Sequence, residues 1–223
     1  MLDIVDLEKR YPTPSGELIA LESISLKVDL GETVAVHGPS GSGKTTLLLA
    51  AGGLLSPDKG RVTVDGQDVY ALSPEERAKL RSTQIGFVFQ QFHLVPYLNV
   101  LENVLVPSAA VDIPDSRKRA EELLERFDML DRALHVPAEL STGEKQRAAL
   151  ARALIAQPKI ILADEPTGNL DEGSAQAVLG YLAEFASDGG CVLLVTHDPQ
   201  SANYAKRTIP LERKARHAAP VGE

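Results

Sequence analysis

The chain has 223 residues, a length that suits one α/β domain or one domain with an inserted lobe. It is 43% hydrophobic and 24% charged, enough apolar side chain for a core beneath an ordinary polar surface. With 23 Lys and Arg against 31 Asp and Glu the net charge is −8, and without a basic stripe this argues against binding a nucleic-acid backbone.

Taken in chain order, Met1 to Asp6 shows no basic segment leading into a long apolar run, so no secretory signal is read there. Ile24, Leu26 and Val28 alternate as in a strand with one polar face. Thr33 to His37 contains the continuous apolar run Val34-Ala35-Val36, as expected of a parallel strand covered on both faces; Ile160 to Ala163 and Val192 to Val195 read the same way. The most apolar stretch, Thr46 to Leu55, falls far short of the roughly 20 residues that span a bilayer. A cytoplasmic protein is expected, with any membrane part supplied by another subunit. Asp65-Gly66 after Arg61 to Val64 marks a hairpin turn. Ser73-Pro74-Glu75-Glu76 is a capping box with Pro at the first helical position. Asn99 to Ala110 and Arg117 to Phe127 read as helices, the second with Ala120, Leu123, Leu124 and Phe127 on one face. Residues from about 91 to 147 are expected to form a helical lobe within an α/β core of about 1–90 and 148–212. Cys191 lies in an apolar run and reads as an inert core thiol. The polar tail, 213–223, is expected to fray.

Gly38-Pro39-Ser40-Gly41-Ser42-Gly43-Lys44-Thr45 fits the phosphate-loop pattern G-x-x-x-x-G-K-[ST], between a strand and a helix expected over Thr45 to Ala51. The glycines let successive backbone N–H groups face phosphate oxygens, and the helix N-terminus adds partial positive charge. Lys44 is placed to reach the β- and γ-phosphates, and the Thr45 hydroxyl is a hard ligand for Mg²⁺. Further on, the apolar strand Ile160 to Ala163 ends in Asp164-Glu165. Two adjacent carboxylates beside ATP repel its charge unless a metal lies between them. Asp164 therefore reads as the Mg²⁺ ligand and Glu165 as the group that polarises the attacking water.

With Leu140-Ser141-Thr142-Gly143-Glu144-Lys145-Gln146-Arg147 in view, the chain resembles the nucleotide-binding subunits of ATP-binding-cassette (ABC) transporters, whose signature is LSGGQ. The resemblance implies a P-loop NTPase core with an antiparallel β subdomain and an inserted helical subdomain. It implies that Gln90 is the glutamine-loop residue and a metal contact, that Gly168 to Asp171 form the loop after the acidic strand, and that His197 is the switch histidine. It also implies that Tyr11 stacks on adenine, and that the ATP-binding set extends to Thr46 and to Ser141 and Gly143 acting from a second copy of the chain. Catalysis would fall to Glu165, His197, Gln90 and Lys44.

The run from Ile85 to Pro96 and the spelling Asp164-Glu165-Pro166-Thr167-Gly168-Asn169-Leu170-Asp171 resemble the lipoprotein-release and macrolide-export branch. That branch implies an integral membrane permease as partner and a location on the inner face of the cell membrane. A cell-division or envelope-remodelling ATPase that transports no solute is the alternative. Thr142 departs from the family, replacing the first signature glycine with a residue that carries a Cβ. The apolar run Gln91 to Tyr97 is expected on the lobe surface, where it would receive the permease.

Overall fold

Two sheets and the helices packed against them make up the computed structural model, which describes residues 1–14 and 16–212. The expectation for the tail falls outside these residues. The first sheet is antiparallel, in the order β2-β1-β4-β5: β1 is Leu2–Thr13, β2 Gly16–Val28, β4 Lys59–Val64 and β5 Gln67–Asp68. The second is parallel, in the order β6-β7-β8-β3-β9: β3 is Glu32–His37, β6 Ile85–Phe89, β7 Ile160–Asp164, β8 Cys191–Thr196 and β9 Arg207–Pro210. The helices are α1 (Lys44–Ala51), α2 (Pro74–Gln84), α3 (Val100–Leu105), α4 (Ser116–Arg126), α5 (Thr142–Leu154), α6 (Glu172–Ser187) and α7 (Pro199–Ala202).

The strand alternation sorts side chains into two cores. Ile160, Leu162, Leu193 and Val195 face α1 and the antiparallel sheet. Ile161, Ala163, Val192 and Leu194 face the opposite way, towards α3, α4, α5 and α6. The inner runs Ile160 to Ala163 and Cys191 to Val195 are therefore apolar at every position, because each residue has one core or the other to enter. Cys191 lies in the first core, free and buried, and burial pushes its thiol up to about 12.

Local signals set the element ends. Asp65 and Gly66 both have positive φ, the geometry that closes a two-residue hairpin between β4 and β5. Ser73 caps α2 with Glu76 closing the box and Pro74 at the start. The helix expected over Asn99 to Ala110 is shorter. It is capped by Asn99 and Glu102 but stops at Leu105, and Val106 to Ala109 form a 3₁₀ turn. Pro107 explains the change, since it has no N–H to give and its ring crowds the carbonyl four residues back. The expected lobe limit at 147 falls inside α5, which runs unbroken from beside α3 and α4 onto β6.

The run from Gln91 to Tyr97 divides. Leu94 packs into the second core, whereas Tyr97 is 81% exposed. Leu134, 78% exposed, lies nearby because the backbone at Ala133 and His135 accepts hydrogen bonds from Leu101 and Val100.

Candidate active site

In the parallel sheet β8 lies between β3 and β7, so the C-terminal ends of these strands bring three segments to one edge: the loop after His37, the pair Asp164-Glu165, and Thr196-His197. Ligands of such sheets bind at that edge. The loop turns into α1 at Gly43, whose φ is +100°. A Cβ there would also strike the Ala20 carbonyl oxygen, so glycine is required on both counts. Lys44 is buried, and its Nζ donates to the carbonyls of Gly38 (2.7 Å) and Pro39 (3.1 Å). The same Nζ lies 3.4 Å from Glu165 Oε1.

Glu165 has φ +45°, a left-handed backbone that side chains seldom adopt without support. Its N–H donates to the Val195 carbonyl at 2.9 Å, and its own carbonyl accepts from Gly168 at 3.1 Å. Its other carboxylate oxygen, Oε2, receives the Thr196 hydroxyl (3.1 Å) and the His197 backbone N–H (3.1 Å), and lies 2.9 Å from His197 Nδ1.

Burial pushes the neighbouring Asp164 carboxyl up, against a hydrogen bond from Thr45. Asp164 Oδ1 is buried with no hydrogen-bond partner. A buried acceptor left without a donor is costly, and a hard cation satisfies it. One carboxylate and one hydroxyl, with the remaining positions left to phosphate and water, suit Mg²⁺.

A cavity of about 580 Å³ is lined by residues that include Ser40, Gly41, Gly43, Lys44, Thr45, Thr46, Gln90, Glu165 and His197, with Asp164 buried behind Thr45 and Glu165 rather than on its wall. Gly38, Pro39 and Ser42 belong to the same loop, with Ser42 buried. Leu18, Ile19 and Ala20 of β2 also line the cavity. Strand periodicity does not reveal this, because it reports burial and not what a strand faces. Tyr11 is not among the lining residues; it stands across the β1–β2 ladder from Leu18, with Lys9 Nζ 5.3 Å from its ring.

Ser141 and Gly143 do not line this cavity either. Ser141 caps α5: its hydroxyl accepts from Glu144 N–H at 3.3 Å and donates to Glu144 Oε2 at 2.8 Å. Arg132 binds Glu144 Oε1 at 2.9 Å. The Ser141 hydrogen bonds and the Arg132 charge lower the Glu144 carboxyl to about 2. Thr142 is exposed in the first turn of α5, outside the positive-φ region, so its side chain imposes no left-handed strain. Gly143 is buried, and a Cβ there would meet Ser174 Oγ.

Residues 21–168 match the sequence family described as ABC transporter. The chain belongs to that family. It is an ABC ATPase subunit, and its relatives carry the names the sequence pointed towards. It is 47% identical over 200 residues to the lipoprotein-releasing system ATP-binding protein LolD 1 of Rhodopirellula baltica, covering 88% of this chain and 87% of that one. It is 41% identical over 213 residues to the macrolide export ATP-binding/permease protein MacB of Shigella flexneri, covering 95% of this chain and 33% of that longer protein. Among solved structures, a dimeric post-hydrolysis state of the cassette MJ0796 bound to ADP and Pi superposes with a TM-score of 0.88 at 38% identity, covering 97% of this chain and 98% of that one. No helix among the described residues is long and apolar enough to cross a membrane.

Proposed function

We propose that this ATPase binds ATP with Mg²⁺ in the cavity, hydrolyses it between two copies of the chain, and so drives a separate integral membrane permease of the lipoprotein-release or macrolide-export kind. The observation that carries this reading is the division of the family's motifs. Lys44, Thr45, Gln90, Glu165 and His197 surround one cavity, whereas Ser141 and Gly143 lie outside it, at the start of a helix with no nucleotide of its own to serve. A two-fold pairing gives each cavity the other copy's α5 N-terminus. The dimeric MJ0796 neighbour supports this arrangement.

Arriving phosphates displace Lys44 from its contacts with Gly38, Pro39 and Glu165, and Lys44 then neutralises their charge. Asp164 and Thr45 are the residues that would hold Mg²⁺, which when bound offsets the charge of the phosphate oxygens. Glu165, released by Lys44, orients a water for in-line attack and draws its proton. His197 turns from Glu165 to the γ-phosphate oxygens, and Gln90 closes the cavity on the side nearest the lobe. Tyr11 meets the base beyond Leu18. The exposed side chains of Tyr97 and Leu134 support docking of a permease on the lobe, and such docking would put the subunit at the cytoplasmic face of the membrane.

The Glu165→Gln variant tests the core of the proposal. It is expected to bind ATP, to turn over about 10²- to 10⁴-fold more slowly, and to elute as an ATP-dependent dimer in size-exclusion chromatography. Near-normal turnover removes Glu165 from the role given to it.

A further inference from the structure

We infer that Thr196 is a positioning residue for hydrolysis: its hydroxyl fixes the rotation of the Glu165 carboxylate so that Oε2 is held and Oε1 is offered to the attacking water. This rests on the reading of Glu165 as the group that acts on water, and adds to it a residue outside the family motifs quoted above.

The geometry gives the Thr196 proton one direction. Thr196 ends β8, pairs with His37 of β3, and is fully buried. Its hydroxyl accepts the backbone N–H of Asp198 at 3.0 Å, which occupies the lone-pair side of the oxygen. The single hydroxyl proton then points at Glu165 Oε2, 3.1 Å away. The β-branched side chain has few χ1 rotamers within a strand, so the hydroxyl does not swing clear. A buried hydroxyl without an acceptor is penalised, which adds to the preference for this arrangement.

The carboxylate needs such a fixture. Its terminal torsion is broad and roughly two-fold, so an unrestrained carboxylate spreads over many orientations. Lys44 on Oε1 and the His197 ring on Oε2 restrain it here, but both are groups that bound phosphate draws away. The Thr196 hydroxyl and the His197 backbone N–H remain, and both hold Oε2. As Lys44 leaves, Oε1 becomes the free oxygen of a side chain that lines the cavity beside Lys44. Thr196 is thus the side chain that stays on the carboxylate through the reaction.

The test compares Thr196→Val, which removes the donor at nearly constant volume, with Thr196→Ser, which keeps it. Thr196→Val is expected to lower kcat by about 10- to 100-fold, the scale of a misplaced reacting group, with KM and nucleotide affinity changed by less than about two-fold. Thr196→Ser is expected to recover most of that loss. Thr196→Ala against Thr196→Ser gives the same comparison should the valine variant fold poorly. The deciding measurement is single-turnover hydrolysis in the Glu165→Gln background, where Thr196→Val should cost nothing further, because the carboxylate it positions is already gone. An equal loss in both backgrounds overturns the inference, as does wild-type kcat in Thr196→Val. Near-normal turnover in Glu165→Gln alone is a different failure: it overturns the assignment of Glu165, and this inference with it.

Discussion

The side-chain amide of Gln146 donates to the carbonyl of Pro166 at 2.7 Å. Gln146 is fully buried on the helix whose N-terminus is capped by Ser141, and Pro166 directly follows Glu165. In the proposed dimer the bond ties the helix that would serve one nucleotide to the loop that would act on the other. In Gln146→Met the Pro166 carbonyl loses its donor, while the unpartnered Gln146 Oε1 disappears with the side chain. The two effects partly cancel, so urea denaturation should show a loss of about 1–2 kcal/mol. Because Pro166 adjoins Glu165, kcat should fall while ATP affinity holds.

The division of motifs between the cavity and α5 leads to a mixing experiment. Ser141→Arg and Lys44→Ala should each be inactive alone, and a mixture should regain part of the activity because each heterodimer contains one intact composite site. Cys191, the chain's single cysteine, is buried, so new cysteines placed at Ser42 and Ser141 report cleanly. With ATP they should crosslink two chains. A crosslink confined to one chain contradicts the shared site.

The Glu144 carboxyl, held at about 2 against an ordinary 4.5 by Ser141 and Arg132, links stability to pH. A carboxylate with a lowered folded-state value contributes fully above the unfolded value, and its contribution disappears as pH falls through the folded one. The stability gap between the native chain and Glu144→Gln should be largest near neutrality and close between about pH 4.5 and 2, read from urea midpoints across that range.

Permease docking on the lobe predicts that Tyr97→Ser combined with Leu134→Ser leaves folding and ATP binding intact, since both side chains stand in solvent. Retention by membranes containing the permease should be lost. Leu94→Ser is the contrast: it opens the second core and should lower the unfolding midpoint. Undiminished retention of the double variant places the contact elsewhere.

The phosphate loop was readable because G-x-x-x-x-G-K-[ST] between a strand and a helix is a local pattern. The same is true of Ser73 and Glu76 capping α2, and of the apolar strands that end at Asp164 and Thr196. The restraints on Glu165 were not readable. Thr196 lies 31 positions further along the chain, and only the pairing of β7 with β8 brings its hydroxyl to that carboxylate. Leu18 to Ala20 reach the cavity through packing that no periodicity encodes, and Tyr11 was placed by family likeness alone. The end of α3 at Leu105 is legible in part, since Pro107 is a helix breaker that the expected helix Asn99 to Ala110 ran across.

The stretch after Gln90 is held far more firmly than its turn-like sequence suggests. Phe92 and His93 both have positive φ, and the Arg152 guanidinium of α5 grips their two carbonyls at 2.6 and 2.5 Å. A few residues on, the fully buried Asn103 of α3 binds the backbone of Val95 through both its N–H and its carbonyl, and also the carbonyls of Leu98 and Asn99. The segment is a strut bolted at both ends, with Tyr97 on its outer side. A load applied at Tyr97 has little slack to take up before it reaches α3 and α5, and α5 is the helix that carries Ser141. If the permease docks there and Ser141 serves the partner's nucleotide, as proposed, a push at the lobe surface would reach the nucleotide site through these fixed contacts.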